Sequence, residues 1–326
     1  MPTKMNEFSL INDLIKTAIT NQSPNVHLSI GDDCAITSVP SGMQLAISTD
    51  TLVEGQHFFK GTCAKDIGYK ALAVNLSDLA AMGASPAWAL LNLTLPSGDP
   101  AWIKAFMSGF SDLAKVHHVA LIGGDTTCGP LCISVQIAGF LKKDQGLLRK
   151  CAKPNDGIFV TGSLGAAALA AEQLISDSHA GSPPHKQNTL AKFLHRPTPR
   201  VLIGEQLHGI ASACIDLSDG LSSDLSHILS QSQVGAIICQ DKIPINPKVL
   251  DHTNQTHALQ LALNGGDDYE LCFTAATAHG DDLARISKDT NTPISCIGHI
   301  TKSPGLYLQD HNNLRKKLKP GGFVQF

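Results

Sequence analysis

Asn75-Leu76-Ser77-Asp78-Leu79-Ala80-Ala81-Met82-Gly83-Ala84-Ser85-Pro86 sets one carboxylate into a run of uncharged, mostly small residues at the end of a helical pattern. A buried charge is costly unless something pairs with it, so Asp78 asks for a cation. The helix runs from Ala64 to Met82. Along it Asn75 and Asp78, three apart, share a face, and Ala80, Ala81, Gly83 and Ala84 let another backbone or a phosphate come close. Tight packing also accounts for the small residues, but a packing face does not need an acid.

The same situation recurs outward from this block, at Gly31-Asp32-Asp33, Ser48-Thr49-Asp50-Thr51, Gly123-Gly124-Asp125-Thr126-Thr127, Asp216-Leu217-Ser218-Asp219-Gly220 and Gly265-Gly266-Asp267-Asp268. Each reads as a strand end or a tight turn. A strand over Gln44 to Ser48 delivers Thr49 and Asp50, and Val119 to Ile122 opens into Gly123. Ala213 to Leu217 ends in Ser218-Asp219-Gly220, before a helix from about Ser222 to Leu229 that Ser222 or Ser223 would cap. Like charges about 4 Å apart repel by several kcal/mol in a protein interior, so convergence of these acids would imply several magnesium ions.

Further strands are expected over Ala87–Leu95, Ile133–Phe140, Ile158–Val160, Tyr269–Thr274, Ser295–Ile300 and Gly305–Leu308. Helices are expected over Glu7–Thr20 and Ala101–His117, with an alanine-rich one reaching about Ile175. The alternation points to α/β or α+β rather than a bundle. At 326 residues the chain has room for two domains. The boundary falls either near Ala152–Gly157 or in the glycine- and proline-bearing stretch Ser176–Asn188.

A net charge of -3 without a Lys/Arg-rich run argues against a nucleic-acid partner. No apolar stretch approaches a membrane span, and a soluble cytoplasmic protein is expected. Nine scattered cysteines without Cys-x-x-Cys, most among apolar neighbours, are expected to be reduced core thiols. The histidines show no metal-binding spacing. P-loop, dinucleotide, nucleophile-elbow and His-Glu-x-x-His motifs are absent, which weakens acyl and hydride transfer.

Oxygen-only donors suit magnesium, and glycines beside acids let N–H groups face phosphates. Together they suggest phosphoryl transfer from a nucleotide, which needs positioning and charge neutralisation more than a base. A two-metal phosphohydrolase is the rival, though only His57 lies close to an acidic motif. A nucleotide- and metal-binding module without turnover would need fewer acids.

Gly31-Asp32-Asp33-Cys34-Ala35, Ser48 through Phe58, Asn75 through Pro86, Gly123 through Thr127, Asp216 through Gly220 and Gly265 through Glu270 together resemble the thiamine-monophosphate kinase family, in family order along nearly the whole chain. The resemblance implies ATP-dependent phosphorylation of thiamine monophosphate to thiamine diphosphate, the last step of that cofactor's biosynthesis, by direct transfer. It also implies the two-domain aminoimidazole ribonucleotide synthetase-like α/β fold and a homodimer formed through the N-terminal domains, with domains at 1–148 and 149–326. An enzyme of the same superfamily making an acyl or imidoyl phosphate would share the acids and differ in the substrate pocket.

Carried over residue by residue, the resemblance implies magnesium at Asp33, Ser48, Thr49, Asp50, Asp78, Asp125, Asp216 and Asp219, with Asp33, Asp78, Asp125 and Asp219 at the centre of catalysis. ATP would meet Gly124, Asp125, Arg149 and Ser218, where a guanidinium suits phosphate. Thiamine monophosphate would meet His57, Asp267 and Phe323. Asp267 stands where the family often has Glu, and the tail Gly322-Phe323-Val324-Gln325-Phe326 departs from a more usual Gly-Tyr-Asp-His-Phe.

Overall fold

The structure, a computed structural model, describes residues 23–179 and 189–322, without the side chains of 178 and 179. The expected 7–20 helix, Phe323 with the tail after it, and most of the 176–188 stretch lie outside the described residues. The chain divides into two compact units, Met1–Leu79 with Ala84–Asp144, and Ala80–Gly83 with Gln145–Phe326.

In the first unit, a small pair of strands, β1 (Val26–Leu28) and β2 (Ile36–Thr37), precedes a four-stranded sheet. Its members are β3 (Met43–Val53), β4 (Ser85–Leu95), β5 (Ala120–Cys128) and β6 (Cys132–Lys142), in the order β3-β6-β4-β5. β3 does not stop at Ser48. Ile47, Thr49, Thr51 and Val53 form a β-branched alternation that carries the pairing with β6 on to Val53↔Cys132.

β5 likewise continues through Gly123–Thr127, which was expected to be a strand end or tight turn, and pairs in parallel with β4 as far as Leu95↔Cys128. A bulge leaves Ile122 unpaired between the Ala89↔Leu121 and Leu90↔Gly123 pairings, just before the two glycines. A Cβ on Gly124, at φ 147, would lie 1.8 Å from the Leu91 carbonyl oxygen. That position is closed to any other residue.

Two helices, Ala64–Met82 and Pro100–Val116, complete this unit's framework. The second is capped by Asp99, whose carboxylate accepts from Ala101 N–H at 2.9 Å. It buries Ile103, Phe106, Met107, Phe110, Leu113 and Ala114 on one stripe. The two backbones touch, because a Cβ on Gly68 would meet Phe106 O at 2.0 Å and one on Gly109 would meet Lys65 O at 1.8 Å.

The second unit holds a seven-stranded sheet in the order β13-β12-β9-β11-β7-β10-β8. These are β7 (Gly157–Thr161), β8 (Ala211–Asp216), β9 (Gly235–Cys239), β10 (Leu271–Ala275), β11 (Ile294–Thr301), β12 (Gly305–Gln309) and β13 (Arg315–Lys317). Neighbours are antiparallel except β12 and β9. Ile158, Val160, Ile215, Leu225, Ile228 and Ile238 belong to its core. The β13 edge is exposed and cationic, which discourages strand addition.

Two local expectations are corrected here. The Leu221–Ser232 helix takes Gly220, not Ser222 or Ser223, as its N-cap. Ser222 is buried, with its hydroxyl 2.6 Å from Asn264 Oδ1 and accepting from Gly321 N–H at 3.0 Å. The cysteines are all unpaired, as expected, but only Cys214 and Cys272 are buried, while Cys34, Cys63, Cys128, Cys151 and Cys296 are exposed. Apolar neighbours in sequence do not decide the face on which a strand residue falls.

Candidate active site

Ser48 and Asp50, two apart on β3, share a face, and the 64–82 helix answers them with Asp78 and Asn75. The Ser48 hydroxyl donates to the Asp78 carboxylate in a very short bond. Asp50 N–H donates to Asn75 Oδ1 at 3.2 Å, and the Asn75 amide is oriented by its own bond to Ala71 O at 2.9 Å. Burial, and then the charge of Asp78, push the Asp50 carboxyl up to about 6. Two carboxylates in this relation suit a divalent cation.

Thr49 alternates to the opposite face, where its hydroxyl donates to Val135 O at 3.1 Å. The structure therefore does not bring that hydroxyl together with Ser48 and Asp50.

Elsewhere in the first unit Asp33, Gly124 and Asp125 line a cleft of about 850 Å³ together with Gly31, Trp88 and Leu90. Asp32 is folded onto the backbone, accepting from Asp33 N–H at 2.9 Å. Trp88 Nε1 is buried without a hydrogen-bond partner.

His57 sits in the turn after β3, where its Nδ1 accepts from Val53 N–H at 3.1 Å. That bond leaves the ring proton of the neutral form on Nε2. Lys70, only 2% exposed, donates to His57 O at 3.1 Å. Lys70 was not singled out from sequence, although a lysine inside the apolar 64–82 pattern was a legible signal.

In the second unit Asp216 ends β8, buried at 5% exposure, and Ser218 O accepts from Asp267 N–H at 2.9 Å. Asp219 and Gly220 donate their N–H groups to one oxygen of Asp224, at 3.1 and 3.0 Å. Burial and, less strongly, the Asp219 charge push the Asp224 carboxyl up to about 7, against these N–H bonds and the positive charge of Arg149. Arg149 is itself exposed, and its carbonyl accepts from Ser232 Oγ at 3.2 Å. Asp224 escaped the sequence reading. An acid in a helix's first turn that reaches back to cap N–H groups was its signal.

Among the described residues, no three His, Cys, Asp or Glu side chains gather as a ready metal cage. No described helix is long and apolar enough to cross a membrane.

The class follows from comparison with known families: residues 31–141 match the N-terminal domain, and residues 153–311 the C-terminal domain, of AIR synthase related proteins. Within it, the chain is 44% identical over 302 residues to the thiamine-monophosphate kinase of Haemophilus influenzae, covering 92% of this chain and 91% of that one. The crystal structure of thiamine-monophosphate kinase from Stenotrophomonas maltophilia K279a matches with TM-score 0.85 and 42% identity, over 93% of this chain and 96% of that one. AaThiL complexed with AMPPCP and TMP matches with TM-score 0.76 and 26% identity, over 99% and 100%. The chain belongs to the thiamine-monophosphate kinase family.

Proposed function

We propose that this chain transfers the γ-phosphoryl group of ATP directly, and in line, to the phosphate of thiamine monophosphate, yielding thiamine diphosphate and ADP. Family membership supports the substrates, since AaThiL was captured with AMPPCP and TMP. The observation that carries the chemistry is the Ser48–Asp50–Asn75–Asp78 cluster, two coupled carboxylates with oxygen donors around them. Asp33, Ser48, Asp50, Asp78, Asp125, Asp216 and Asp219 would hold several magnesium ions, with Thr49 contributing through a group other than its engaged hydroxyl. Magnesium, when bound, neutralises charge between the two polyanionic substrates.

The acceptor phosphate, with a second pKa near 6, is largely dianionic at pH 7 and needs no general base. The residues therefore bind and align. Gly124 and Arg149 hold ATP, with Asp125 and Ser218 beside it. His57, Asp267 and Phe323 meet thiamine monophosphate. Residues 1–148 carry ATP, magnesium and dimer contacts, and 149–326 supply the remaining site residues. Exposed Ile36, Val39 and Ile47 support a homodimer formed through the first unit. We place the enzyme in the cytoplasm.

The test is ADP and thiamine diphosphate formation by the purified chain with ATP and magnesium, with and without thiamine monophosphate. Equal amounts of both products, dependent on the acceptor and abolished by EDTA, are expected. ADP release without thiamine diphosphate would indicate a hydrolase or another acceptor, and no turnover would indicate a binding module.

A further inference from the structure

Residues 265–270, which join the Gln255–Asn264 helix to β10, carry an unusual backbone. Asp267 (φ 65) and Tyr269 (φ 50) both lie in the left-handed region, where an L side chain crowds the following carbonyl. Strain of this kind persists only where the surroundings over-determine it, and it concentrates at functional sites.

Three sets of bonds hold this strap. Asp267 N–H donates to Ser218 O at 2.9 Å, Tyr269 N–H to Leu217 O at 2.8 Å, and Leu217 N–H returns to Glu270 O at 2.8 Å. Both Asp268 carboxyl oxygens accept from Gly165 N–H at 3.1 Å, at the start of the Ala166–His179 helix, where the first-turn N–H groups lack intrahelical partners.

The buried Glu270 carboxylate accepts from Arg200 Nε at 2.6 Å, Arg200 Nη2 at 2.5 Å and Thr161 Oγ1 at 2.6 Å. A Cβ on Gly162, at φ 60, would stand 2.0 Å from Glu270 Oε1, so the pocket admits the carboxylate only because that residue is glycine. Arg200 Nη1 reaches Thr292 Oγ1 at 3.3 Å. Asp267 is thus the residue between the edge that carries Ser218 and two anchored carboxylates.

We infer that Arg200, Glu270 and Asp268 are positioning residues that lock this strap and thereby place Asp267 for the phosphoryl acceptor. The inference rests on the reading of Asp267 as a thiamine contact. A loosened strap misplaces the acceptor rather than the nucleotide. The effect therefore falls on the Michaelis constant for thiamine monophosphate.

The test is steady-state kinetics for both substrates, with melting temperatures, on the full-length enzyme and its Arg200→Lys, Asp268→Asn, Asp267→Asn and Arg200→Lys/Asp267→Asn variants. Lysine keeps the charge at 200 and loses the bidentate fork. Arg200→Lys is expected to raise KM for thiamine monophosphate about tenfold, a cost in line with small misplacements, with KM for ATP changed less than twofold. Asp268→Asn supplies the same readout if Arg200→Lys fails to fold. On the Asp267→Asn background, Arg200→Lys should add little, because both act through one contact.

A lower melting temperature with an unchanged acceptor KM in both clamp variants would leave the clamp a purely structural feature and overturn the inference. So would full additivity in the double variant. Asp267→Asn without effect on the acceptor KM would instead remove the reading of Asp267 and the inference with it, a separate outcome.

Discussion

In the first unit, Ser48 and Asn75 tie Asp50 and Asp78 to each other's segments, and burial, then the charge of Asp78, push the Asp50 carboxyl up to about 6. In the second, Asp224 closes on the N–H groups of Asp219 and Gly220, Asp268 on that of Gly165, and Glu270 on the Arg200 guanidinium. Two kinds of acid result. Each acid of the first pair faces another carboxylate, a repulsion that a proton or a cation relieves, whereas the second set, also raised by burial, is bound by donors of its own unit and shapes backbone.

The comparison breaks most visibly through activity. Asp78→Asn should cut turnover about a thousandfold or more, as losing a charge-stabilising group at a reacting centre does. Its melting temperature should be unchanged or higher, because the repulsion with Asp50 is gone. Asp219→Asn should lose turnover similarly. Near-normal product formation by either variant would sink the shared-metal reading.

Arg200→Met should do the reverse and attack stability, leaving Glu270 buried and unpaired at a cost of about 3–5 kcal/mol. Urea unfolding measures this, and a loss below about 1 kcal/mol would show the pair to be solvated in solution.

Asp268 sharpens the contrast through pH. Burial holds its carboxyl well above the ordinary carboxylate range in the fold. Its contribution to stability is therefore full below the unfolded-chain pKa near 3.9 and falls as pH rises. Asp268→Asn cannot ionise, so its stability deficit against the unaltered chain should shrink between pH 5 and pH 8 in paired urea titrations. A deficit that grows with pH would mean that the Gly165 bond holds the carboxylate ionised.

Asp99→Ala lies outside both acid sets and should cost only about 1 kcal/mol, the ordinary loss of an N-cap, in the same unfolding assay.

The helix carrying Asp78 was legible because its apolar run, its small residues and the one acid of its C-terminal half are all local. Thr49 and Asp50 were misread as a strand end because nothing near Ser48 announces that β6 continues to pair as far as Cys132. Asp224 and Lys70 were missed for a different reason. Each carried a local signal, but what it does is set by its partner, a turn's N–H groups or a loop carbonyl, which the sequence does not name.

Local chemistry in the sequence determined the α/β alternation, the acid motifs with their glycines, and through those motifs the family. The tertiary structure alone decided that Ser48 and Asp78, 30 residues apart, share a bond while the adjacent Thr49 hydroxyl faces away. It alone also joined Arg200 to Glu270 across 70 residues. Residue type and short-range periodicity specify what a group is able to do. The group that relieves a buried charge is set by which distant segment packs against it, a property of register and packing rather than of any local run.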